Sequence, residues 1–120
     1  MGALSKEAIL AKTDDLGLEK AEVPEWGGEV FVRGMRGVER DSFEASMFEG
    51  EGDSRKRNLA NLRARLLVRC LVDDKGARLF EDADAAELGL RNAKVLDRLY
   101  DIACALSGIG PNAVEAAAKN

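Results

Sequence analysis

The chain has 120 residues, 46% of them apolar and 5% aromatic, with 33% charged and a net charge of −4. That length holds one ordinary domain whose core is packed mainly by Leu, Val, Ile and Ala. It contains no histidine, which excludes Ser-His-Asp and Cys-His nucleophilic triads and histidine acid–base chemistry. Cys70 and Cys104, 34 positions apart with no histidine to assist, cannot supply a zinc site, and within apolar patterns they read as small core hydrophobes. No apolar run approaches the ~18 residues of a membrane span. The N-terminal stretch lacks the apolar segment of an export signal, so the expected compartment is the cytoplasm.

Charge is unevenly distributed. Residues 1–53 carry 13 acids and 6 bases, residues 54–72 carry six bases and no acid, and residues 73–120 carry 9 acids and 6 bases. An acidic front and a basic middle can attract each other within one molecule or between copies.

Residues 5–12 suit a short helical turn that is too brief to stand alone and frays or docks on a partner, and residues 1–19 are expected to be flexible. Val30 and Val32 alternate with Phe31 and Arg33, which is strand periodicity. With Glu22 and Val23 as the opposing strand and Gly27-Gly28 supplying positive φ, a β-hairpin is predicted over 20–34. A helix is predicted over 38–48, followed by a mobile loop at the acidic Gly50/Gly52 stretch.

The strongest element is a helix over 54–71. Leu59, Leu62, Leu66, Leu67, Cys70 and Leu71 cover half its circumference, and Asn61, Arg65 and Arg69 form its polar stripe, beyond which lies Val68. Such a helix is central in the domain or contacted by another subunit. Asp73-Asp74-Lys75-Gly76 reads as a turn. Residues 83–90 form one or two helical turns capped by Asp82 or Asp84.

Residues 92–107 are an amphipathic helix with Lys94–Asp97 and Arg98–Asp101 as i, i+3 pairs. Gly108 and Gly110-Pro111 stop it, and a short tail helix follows at 111–118. The whole reads as one α+β domain over 1–120, mainly α-helical with a small N-terminal β-hairpin.

Carboxylates are plentiful, but Asp73-Asp74 and Asp82-Ala83-Asp84 lack the ligand alternation of an EF-hand and read as turn and cap residues. The glycines at 50 and 52 lack the ending of a phosphate loop. No catalytic, metal or cofactor site is predicted. The basic residues between 55 and 69 have no interleaved aromatic to stack bases, so nucleic acid is disfavoured. Candidate partner- or oligomer-contacting residues are Trp26, placed at the hairpin turn, together with Arg63, Arg65, Val68 and Arg69. For Arg63 the plainer reading is a side chain that snorkels or pairs with a carboxylate of the N-terminal half.

One succession of residues carries a family likeness. Ala21-Glu22-Val23-Pro24-Glu25-Trp26-Gly27-Gly28 is followed by Glu29-Val30-Phe31-Val32-Arg33, then Glu39-Arg40-Asp41. After these come LRARLLVRCLVDDKGARLFED, a Leu/Ala-rich helix, and a tail ending Lys119-Asn120. From about Ser5 to the end this order resembles a phage tail assembly chaperone of the siphophage type. The resemblance implies a non-enzymatic protein of the infected cell that binds the tape measure protein, keeps it soluble and helps the major tail protein polymerise around it. It also implies self-association, absence from the finished virion, and a short product of a frameshifting pair. The competing readings are another small structural adaptor, such as a head–tail connector component, and a small nucleic-acid-binding regulator.

Overall fold

A computed structural model describes residues 2–110. In chain order these form α1 (Lys6–Leu10), β1 (Leu18–Val23), β2 (Gly28–Arg33), α2 (Gly37–Ala45), β3 (Phe48–Glu49), β4 (Lys56–Arg57), α3 (Leu62–Cys70), β5 (Leu71–Val72), α4 (Ala85–Leu88) and α5 (Ala93–Leu106). The predicted tail helix at 111–118 lies outside the described residues.

Strands β1 and β2 pair antiparallel from Leu18 opposite Arg33 to Val23 opposite Gly28. Their connection is a 3₁₀ turn at Pro24–Trp26 closed by Gly27 at φ 76°. Only Gly27 takes the left-handed conformation that favours glycine; Gly28 opens β2 with ordinary backbone. Period-2 alternation turns Ala21, Val23 and Val32 into the core, with Val30 packed at its edge. At the open end, a side chain on Gly34 would place its Cβ 2.5 Å from the Leu16 carbonyl oxygen and 2.7 Å from that of Leu106. Glycine is therefore required where the hairpin meets α5.

The hairpin is not an appendage to a mainly helical domain. β2 also pairs with β5, Phe31 opposite Val72 and Val32 opposite Leu71, giving a three-stranded antiparallel sheet in the order β1-β2-β5. The fold is α+β, with strands β1 and β2 of that sheet packed against α5. This corrects the expected balance, and the reason lies at the two ends of the predicted helix over 54–71.

At its C-terminal end, Leu71 is extended, with ψ 124°, and the chain passes from Cys70 straight into β5. A continuous apolar run gives no periodicity by which helix and strand can be told apart. At its N-terminal end, Asn61 is left-handed at φ 59°, a conformation Asn tolerates but a helix interior does not. Upstream of it, β4 pairs with β3, Phe48 opposite Arg57 and Glu49 opposite Lys56. The predicted helix over 38–48 accordingly ends at Ala45, and the expected mobile loop is the tip of this second hairpin, with a 3₁₀ turn at Gly52–Ser54.

Helix α3 sits at the centre. Leu62, Ala64, Leu66, Leu67, Val68, Arg69 and Cys70 are all buried, and α2, α4 and α5 pack around it. Helix α5 buries Val95, Leu96, Leu99, Tyr100, Ala103 and Cys104, and Asn92 caps it by accepting from the Lys94 N–H at 2.9 Å. Its expected internal ion pairs are replaced by longer-range ones: Asp97 pairs with Arg63, and Arg98 with Glu25 at 2.8 Å. Both cysteines are free and buried, and burial pushes the Cys70 thiol up to about 12.

The predicted turn at 73–76 is present. Asp73 Oδ1 accepts from the Lys75 and Ala77 N–H groups at 2.8 and 3.0 Å. The stretch at 83–90 is a 3₁₀ turn, Asp82–Asp84, running into α4. Helix α1 buries no residue; its Ile9 and Leu10, and Leu4 just before it, are more than half exposed.

Candidate partner-binding surfaces

The basic residues of α3 are mostly directed inward. Arg69, only 4% exposed, donates from Nη2 to Ser42 Oγ at 2.9 Å and to Asp82 Oδ2 at 3.2 Å, and its guanidinium lies 5.9 Å from the Phe43 ring centre. Arg65 donates to the Ser46 carbonyl, to Ser46 Oγ at 3.0 Å and to the Asn58 carbonyl, fastening α3 to the β3–β4 hairpin. Burial lowers the pKa of both guanidinium groups from their usual value.

Around the end of α3 this becomes a network. Arg33 binds both oxygens of Glu39 through Nη2, at 2.6 and 2.7 Å, and also donates to the Arg69 carbonyl at 3.2 Å. Arg78 donates to the Val68 carbonyl at 3.1 and 2.9 Å and to Asp82 Oδ1 at 2.8 Å. Guanidinium groups thus satisfy carbonyls that the last turn of a helix leaves without partners, at the end where the helix dipole favours positive charge.

The hydrogen bond from Arg78 holds the Asp82 carboxyl below its ordinary value of 3.8. A carboxylate with a depressed folded-state pKa adds stability that is complete above its unfolded pKa and fades as pH falls through the folded one. Asp82 is half exposed, so its contribution is under about 1 kcal/mol. Asp82→Asn should therefore lower stability by a constant amount at neutral pH, and in urea titrations the gap to the parent should close as pH falls through and below the ordinary carboxylate range.

Of the residues singled out in the sequence, Val68 is fully buried and Arg69 nearly so. Arg65 is half-buried and engaged. Arg63 is exposed, paired with Asp97 and poised 5.7 Å from the Tyr100 ring centre. That partner comes from the C-terminal half rather than the N-terminal one. Among the described residues no ion pair joins the basic 54–72 stretch to an acid of the first 53 residues; its arginines pair with Asp97 and Asp82 instead.

Trp26 remains, 38% exposed. It forms one wall of an open groove of about 700 Å³ shared with Phe80, Glu87, Leu88, Leu90 and Arg91. Three local features build this groove. The Gly27 turn sets the indole, the Glu25–Arg98 ion pair fixes the hairpin tip over α5, and the turn between α4 and α5 presents Leu90, 76% exposed, opposite it.

The α4–α5 turn is itself pinned. Asn61 donates through Nδ2 to the Ala85 carbonyl at 2.7 Å, and a Cβ on Gly89 would lie 1.8 Å from the Asn61 side-chain oxygen. Phe80 and Leu90 escaped the sequence reading because each sits singly in a turn or at a helix end, where no periodicity marks it. Their nearness to Trp26 is a product of tertiary packing.

Among the described residues no group of three or more His, Cys, Asp or Glu side chains could hold a metal ion, and no helix is long and apolar enough to cross a membrane. The family model for phage tail assembly chaperones matches residues 5–120. The chain belongs to that family. It matches no curated protein and no solved structure. Family membership favours a role in tail assembly over the connector and nucleic-acid readings. The inward-facing Arg65 and Arg69 of this tail assembly chaperone further reduce the basic surface a nucleic acid would need.

Proposed function

We propose that this tail assembly chaperone binds the phage tape measure protein through the Trp26 groove, shielding apolar helical segments of that client until the major tail protein polymerises around it. The role is non-enzymatic, is carried out in the host cytoplasm, and ends before the virion is complete. The observation that carries this reading is a concave apolar surface, open in the free chain, whose aromatic anchor is held in place before any partner arrives. A single exposed Trp facing Phe80, Leu88 and Leu90 has the composition of an interface hot spot. Its rim carries one acid and one base, Glu87 and Arg91. An amphipathic helix laying i, i+3, i+4 and i+7 apolar side chains into such a groove is the matching ligand.

Co-expression with segments of the tape measure protein tests this. Soluble complex should be recovered with the parent chain, and Trp26→Ala should weaken binding by about thirtyfold, the equivalent of an anchor worth ~2 kcal/mol. Unchanged affinity in Trp26→Ala, with the client still solubilised, would move the client site elsewhere. Recovery of the protein in stoichiometric amounts from purified virions would instead favour the connector reading.

A further inference from the structure

The open end of the β1–β2 hairpin meets the start of α2 and the turn at 73–76, and these segments border a concavity of about 240 Å³. A water's share of liquid volume is about 30 Å³, so one polyatomic ion fits with room to spare. The lining includes Thr13, Asp14, Arg33, Arg36, Lys75 and Gly76. Three cations from three separate segments thus share one space, in a chain whose net charge is −4.

Arg33 is the fixed element. It is only 4% exposed, and its Nη2 donates to both Glu39 oxygens at 2.6 and 2.7 Å. Its Nη2 also donates to the Arg69 carbonyl, its Nε to the Gly34 carbonyl and its Nη1 to the Gly76 carbonyl. A guanidinium has five N–H groups, so one Nη1 N–H is left without an acceptor among the described residues. The Arg36 and Lys75 side chains make no ion pair there either. Glu39 offsets Arg33, and Asp14 offsets one of the other two cations, so one positive charge is left over. Arg36 is also the N-cap residue of the nine-residue helix α2, where the helix dipole adds positive potential.

The donors select the kind of anion. A carboxylate is held best by two parallel N–H groups of one guanidinium, and Arg33, the one cation whose position is locked, has a single N–H to give. Donors from separate segments, with the Thr13 hydroxyl beside them, suit an anion with three or more acceptor oxygens, and Lys serves phosphate as a point charge. We propose that this concavity is a binding site for a phosphate group, free or carried by a small ester, held by Arg33 Nη1, Arg36 and Lys75. Bound there, the phosphate ties the hairpin, α2 and the 73–76 turn together and stabilises the fold by mass action. The client-binding reading is not needed for this, and the test contains no client, so either can fail alone.

The experiment is titration of the full chain with inorganic phosphate at constant ionic strength, followed by its amide resonances. Those of Gly17, Gly34 and Gly76 should shift and saturate in the millimolar range or below, and the thermal midpoint should rise above its value in matched chloride. Arg36→Gln/Lys75→Gln removes no ion pair, so it should keep the parent midpoint in chloride while binding phosphate roughly tenfold more weakly. Asp14→Asn removes the acid of the lining and should bind about threefold more tightly. Adenosine monophosphate is the second arm: tighter binding than inorganic phosphate assigns the site to a phosphate ester, and equal or weaker binding to the free ion. Shifts that never saturate, that survive the double variant undiminished, or that acetate reproduces at the same concentrations would overturn the proposal.

Discussion

Glu39→Ala should lower the free energy of unfolding by about 3–5 kcal/mol, measured as a fall in the urea midpoint with the slope unchanged. The Arg33–Glu39 pair is 5% and 9% exposed on its two side chains, with the shorter contact at 2.6 Å. Removing the carboxylate leaves a buried guanidinium without its counter-ion. It also deprives the Arg36 N–H of its acceptor at 2.8 Å, opening the first turn of α2. Glu39→Gln keeps an acceptor but not the charge, and should fall between the parent and the alanine variant. A loss below 1 kcal/mol for Glu39→Ala would mean that the pair is not the tie between β2 and α2 that its geometry describes.

Phe43→Ala should cost a comparable 3–5 kcal/mol, the usual range for emptying a fully buried aromatic site. Phe43 is completely buried and, with Met47, is the apolar anchor of α2. Its ring also underlies the Arg69 guanidinium. Because Phe43 and Glu39 lie one turn apart on the same short helix, their losses should not add. Once α2 has lifted off, Glu39 no longer faces Arg33. A double-mutant cycle should therefore return a coupling above 0.5 kcal/mol, with the double variant less damaged than the sum of the singles. Against a total stability of the order of 5–15 kcal/mol, either change endangers folding at 37 °C.

Much of the fold was legible in the residues, and what was not has physical causes. The first hairpin showed because strand alternation, Pro24 and Gly27 all agree, and its register runs close to the predicted span. Helix α5 showed because its apolar stripe is flanked by Asn92 and Gly108, a capping pair that local chemistry dictates. The middle of the chain did not, because the apolar run from Leu66 to Val72, interrupted only by Arg69, is equally compatible with a helix or a buried strand. The left-handed Asn61 that starts α3 depends on the backbone of Ala85, 24 residues away. The third strand of the sheet follows from those two facts.

Surface chemistry was harder to read than fold. A helical wheel placed Arg65 and Arg69 on a polar stripe and assigned that stripe to the exterior. The exposed ends of α2 and the turn at Asp82 cover it instead, so the stripe holds a hydrogen-bond network inside the molecule. Trp26 was visible as the one large aromatic at a turn. Its groove was not, since Phe80 and Leu90 lie 54 and 64 positions away and meet it only through packing.

That single Trp also supplies the most direct measurement. With tape measure segments free of tryptophan titrated into the full chain, the indole emission should shift to shorter wavelength and saturate as the groove closes over it. Arg91→Ala and Leu90→Ala, which change only the opposite wall, should weaken the titration while leaving the free chain's spectrum unchanged. Client binding observed by sedimentation with no change in Trp26 emission would contradict the account, because the client would then be held on a surface that does not include the groove.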